Sequence, residues 1–95
     1  MQEGDTRLAI GRLVHYVLPG GRNKGEHRPA IVVKVWEEAV GEAVQLQVFT
    51  DSSNDFPIGP GSGGLLWAIS VKHDEERNKG TWHWPEEGEH VGLSQ

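Results

Sequence analysis

The stretch VQLQVFT, Val44 to Thr50, decides how the rest of the chain is read. Val44, Leu46 and Val48 alternate with Gln45 and Gln47, and successive side chains of a strand point to opposite faces, so one face is apolar and the other wet. A strand with one wet face belongs to an antiparallel sheet or a barrel wall rather than to a doubly covered parallel sheet.

Working outward, four more runs read as strands. Upstream lie IGRLVHYVL (Ile10 to Leu18) and RPAIVVKVW (Arg28 to Trp36); downstream lie LLWAISV (Leu65 to Val71) and TWHW (Thr81 to Trp84). In the second of these, Ile31, Val33 and Val35 fall on one side and Ala30, Val32, Lys34 and Trp36 on the other. In the last, Trp82 and Trp84 share a face and His83 takes the opposite one. Pro29, which has no amide to donate, suits the start of a strand or an edge. The connections carry turn chemistry: PGGRNKGEH (Pro19 to His27), EEAVGEA (Glu37 to Ala43, a short helical turn or a hairpin loop), the Gly-, Pro- and Ser-rich Asp51 to Gly64, and KHDEERNKG (Lys72 to Gly80). No run has the length and period of an amphipathic helix.

The expected fold is therefore all-β: a small five-stranded antiparallel barrel or roll of the SH3-like kind, with long loops. An OB-type barrel generally needs a helix between its third and fourth strands, and Asp51 to Gly64 is too rich in Gly and Pro for one. The expected organisation is an extension over 1–9, one domain over 10–86 and an acidic tail over 87–95.

Composition narrows the function. A chain of 95 residues holds one core. With no cysteine there are no disulfides, thiolate metal sites or cysteine nucleophile. The net charge of -5 argues against a duplex-DNA reader, whose affinity depends on phosphate contacts. The charge is uneven: six basic side chains meet three acidic ones in residues 1–36, whereas three meet eleven in the remainder. There is no apolar run of membrane-spanning length and no basic-then-apolar leader, so the expected protein is soluble and intracellular.

Catalytic patterns are missing. Neither GxxxxGK[ST] nor GxGxxG after a strand occurs, and GPGSGG around Ser62 reads as a loop rather than a nucleophile elbow, so the expectation is a protein that is not an enzyme. The histidines, His15, His27, His73, His83 and His90, show no HxH or HExxH spacing; the sequence assigns no metal and no cofactor. What remains is a binding surface. Trp82 and Trp84 either fill the core or offer stacking faces to a planar ligand, and Arg28 either pairs with an acid such as Glu86 or Asp74 or presents its guanidinium fork to a phosphate. Arg22, Lys24, His27, Arg28, Trp82, His83 and Trp84 are the candidate ligand-binding residues, expected to line one cleft.

The segments GRLVHYVLPGG, HRPAIVVKVW, LQVFTDSSND and GTWHWPE together resemble a family of small tailed-bacteriophage and prophage proteins. The resemblance covers most of residues 10 to 86 and implies a phage or prophage origin without a settled activity. Two functions follow as expectations. One is an accessory protein of the host bacterial cytoplasm that sequesters an anionic, nucleotide-like signal of host defence, within a homo-oligomer. The other is a structural or assembly protein of the virion, whose partners are other phage proteins.

Overall fold

The computed structural model describes residues 8–36, 42–55 and 64–85. Five strands form one antiparallel sheet: β1 (Leu13–Val17), β2 (His27–Val35), β3 (Val44–Phe49), β4 (Leu65–Val71) and β5 (Trp82–His83). Their order across the sheet is β4-β3-β2-β1-β5. The all-β class with five antiparallel strands is thus the one the sequence implies. The expected extension at 1–9 and tail at 87–95 lie almost wholly outside the described residues.

The chain after β4 brings the two ends of the sheet together. His73 forms an isolated parallel bridge with Trp82. The Trp82 amide donates to the Lys72 carbonyl (2.9 Å), and the Asp74 amide donates to the Trp82 carbonyl (2.8 Å). These bonds curl the sheet into a barrel-like roll with an inner and an outer face.

The inner face holds the core: Val14, Tyr16 and Leu18 from β1 and its exit, Ala30 and Val32 from β2, Val44, Leu46 and Val48 from β3, Ala68 and Val71 from β4, and Trp82 from β5. Leu8, Val35, Leu66 and Trp84 pack against its rim. Tyr16 is buried deeply enough that desolvation raises its pKa.

Two irregularities decide which side chains face outward. The β2–β3 register shifts between Val32 and Lys34, so that Val32 opposes Leu46 and Val35 opposes Val44. Strict alternation groups Val35 with Ile31 and Val33; the bulge adds one residue, returns Val35 to the core and sends Lys34 and Trp36 outward. A second shift, on β4 opposite Val44 to Leu46, accommodates Ile69 and Ser70. Ser70 adopts a positive φ of 51° there, and its amide donates to Gln45 Oε1 (2.9 Å). Trp36 Nε1 donates to the same oxygen (3.1 Å), so one glutamine side chain ties β2, β3 and β4 together on the outer face.

Candidate functional site: two faces of β5 and a histidine cluster

Adjacent residues of a strand face opposite ways, and this divides the residues expected to line one cleft. Arg28, Trp82 and Trp84 lie on the core side. His27 and His83 lie on the outer side, while Arg22 and Lys24 project into solvent from the turn between β1 and β2. The single cleft of the sequence reading is therefore split by the sheet itself.

Arg28 is committed to an ion pair. Its Nε donates to Asp55 Oδ2 and one terminal nitrogen to Asp55 Oδ1, both at 2.7 Å. The same nitrogen reaches Glu26 (3.1 Å), and the other terminal nitrogen donates to the His27 carbonyl (2.8 Å). The buried Asp55 carboxylate also accepts from Asn23 Nδ2 and the Asp51 amide, each at 2.8 Å. The bidentate Arg28 fork holds its carboxyl far below the usual carboxylate range. This knot fastens the β1–β2 turn to the segment after β3. Among the described residues the acids are Asp55 and Glu26, not Asp74, which spends its carboxylate on the Glu76 amide and Asn78; Glu86 lies outside the described residues.

Trp82 is fully buried, so it contributes to the core rather than a stacking surface. Its ring stacks on His73 (centroids 4.3 Å apart, planes 27° apart) and meets Trp84 edge to face at 5.1 Å. Its Nε1 donates to the Glu42 carbonyl (3.0 Å), which satisfies the one polar atom the indole buries. His73, which the sequence places in an ordinary charged turn, sits between two carboxylates: Nδ1 is 2.8 Å from Glu42 and Nε2 2.7 Å from Glu75. Burial pushes the Glu75 pKa up, but the Trp84 amide at 3.0 Å and His73 outweigh it and leave the carboxyl lowered.

On the outer side, three imidazoles from three strands converge. His15 stands directly opposite His83 in the β1–β5 ladder. Across β1 in the other direction, His27 pairs with Val17, two residues along from His15 and hence on its face. The His15 and His83 rings meet edge-on at 5.7 Å, and those of His27 and His83 at 4.6 Å. One nitrogen from each ring lies within 4.8 Å of the others. His83 is fully buried, and His15 and His27 are half-buried.

Much of the remaining outer surface is apolar. Leu13, Val33, Trp36, Phe49, Leu65, Trp67 and Ile69 are all 40% or more exposed. Trp67 opposes Gln47 and Leu65 opposes Phe49 across β3 and β4. Lys34 covers part of Trp36, with its Nζ 4.7 Å from the ring centroid.

Sequence reasoning missed His15 and the outward row Leu65, Trp67, Ile69. Alternation alone places each on the outer face of its own strand; pairing β1 with both β2 and β5 is what gathers the histidines. The glycine-rich segment over 56–63, Ser62 included, lies outside the described residues. Among the described residues no helix is long and apolar enough to cross a membrane. Comparison of the chain with protein-family models, curated proteins and solved structures finds no match.

Proposed function

We propose that the protein is a non-enzymatic phage or prophage accessory protein that acts through protein–protein contacts, with the outer face of its sheet docking against a second copy of the chain as the unit of assembly. One observation carries this reading: seven large apolar side chains stand together on that face. At about half exposure Trp36, Phe49 and Trp67 each present roughly 100 Å². With the four aliphatics the patch reaches several hundred Å², more than a monomer commonly leaves in water and on the scale of one side of a standard interface, about 800 Å².

Self-complementarity favours a second copy as the occupant. A two-fold interface sets each patch against itself, so a surface of one charge sign repels its twin. This patch is built from apolar groups and two glutamines, Gln45 and Gln47, whose amides both donate and accept, with Lys34 over Trp36 as a cation beside it. The phage assignment draws its support from the sequence resemblance.

Sequestration of an anionic, nucleotide-like ligand draws less support. Of its two stacking residues, Trp82 has no open face and Trp84 is half-buried against the core, and its guanidinium, on Arg28, is taken up by Asp55, Glu26 and a backbone carbonyl.

Analytical ultracentrifugation of the wild-type chain and of Trp67→Glu tests the proposal. A dimer or higher oligomer that becomes a folded monomer in the variant supports it. A monomeric wild type, or an oligomer that survives the substitution unchanged, overturns the assigned face. A nucleotide panel added to the same samples, giving a saturable change in sedimentation or tryptophan fluorescence, would restore the sequestration reading instead.

A further inference from the structure

We propose that His15, His27 and His83 form a binding site for one divalent late transition-metal ion, of which zinc is the reference case. The inference stands on the side-chain geometry and is independent of how the apolar face is used.

Three nitrogen donors are the ligand set such ions prefer, imidazole suiting zinc, copper, nickel and iron, whereas magnesium and calcium call for oxygen. Zinc–nitrogen bonds of about 2.0–2.1 Å in tetrahedral geometry place ligand nitrogens roughly 3.3–3.4 Å apart. The three rings already bring one nitrogen each within 4.8 Å of the others. Closing the difference takes a rotation of the half-buried His15 and His27 toward the fixed, fully buried His83.

The supporting scaffold is rigid. Each ligand comes from a different strand of one sheet, with His15 and His83 in direct register. Ligands held on paired strands keep their spacing better than ligands on loops. His83 is further anchored by its neighbour Trp82, the largest side chain in the core.

The three-histidine set leaves a tetrahedral ion one position for water or an anion. It also joins β5, only two residues long, to β1 and β2. An ion bound there raises the stability of the folded state by mass action.

The experiment uses the full chain, stripped with a chelator and desalted. Zinc is titrated by calorimetry, bound metal is counted by elemental mass spectrometry, and cobalt(II) is added for its visible absorption, which is intense only in tetrahedral-like sites. The expected result is one ion per chain, a cobalt spectrum of tetrahedral type and a raised melting temperature. His15→Gln and His27→Gln, chosen because neither side chain is fully buried, are expected to keep the wild-type circular dichroism and to weaken zinc binding at least about tenfold. Substoichiometric metal in the wild type overturns the proposal. So does undiminished affinity in both folded variants, which would place the ion on other groups.

Discussion

The two faces of this sheet are made from the same strands and have opposite fates. Inward, Val14, Ala30, Val32, Leu46 and Val48 are sealed almost completely from water, and Trp82 closes the end of the core. Outward, Trp67 and Ile69 are more than half exposed, and the polar groups at the β5 end are three histidines. The inner face shows what holds the chain together, because every group on it is matched by another group of the same chain. The outer face gathers the exposed apolar side chains and the histidine cluster, and it is there that the proposed second copy and the proposed ion are placed.

The largest test of that contrast is Trp82→Ala. Truncating a fully buried indole costs about 3–5 kcal/mol, comparable to the whole stability of a small domain. Urea denaturation is expected to show a chain largely unfolded without denaturant. A mild effect would mean that Trp82 does not close the core. Arg28→Ala is expected to be nearly as severe, about 3–5 kcal/mol, because it leaves the buried Asp55 carboxylate without its cation. A variant that stays stable would break the distinction between a structural arginine and a ligand-binding one.

The same pair sets the acid response. The folded-state pKa of Asp55 lies below its unfolded value, so the unfolded chain binds the proton more readily. The stability this contributes is complete above the unfolded value, near 3.9, and is lost as pH falls toward the folded one. Melting curves collected downward from pH 5 should show this loss in the wild type and a flatter response in Asp55→Asn.

Outer-face changes belong at the small end of the scale. Trp67→Glu is expected to shift stability by no more than about 0.5 kcal/mol in the monomer, its effect appearing in the sedimentation coefficient. Ser70→Gly sharpens the comparison from the opposite direction. It relieves a left-handed backbone and should stabilise by roughly 0.5–1 kcal/mol, read as a higher urea midpoint.

Local alternation made much of the fold readable. The run Leu65 to Val71 is a strand over its full length, and Val44 to Phe49 puts its valines and leucine inward and its glutamines outward, as the pattern requires. Where the structure departs from the reading, the cause is nonlocal. No residue in RPAIVVKVW announces the extra position that turns Val35 inward; the bulge exists because β3 supplies one residue fewer. Arg28 could be recognised as a cation in want of an acid, but its partner lies 27 residues away in a loop, where sequence separation gives no guide. The histidine cluster was hidden for the same reason. Its members are 12 and 56 residues apart along the chain, and a metal motif is legible in sequence when its ligands fall at short, recognisable spacings.

The pairing of β1 with β5 also sets an order of events during synthesis. β2, β3 and β4 can each pair with the strand before them as they appear, whereas one side of β1 must await residues 82–83. At ribosomal rates of about 5–20 residues per second, the 68 positions from His15 to His83 take roughly 3–14 s. Throughout that interval VHYV presents an open hydrogen-bonding edge, the kind of template on which nascent chains cross-pair. Chaperone demand and expression temperature should therefore weigh more on this protein than its size suggests, and the two-residue strand that ends the wait is the last piece of the fold to be earned.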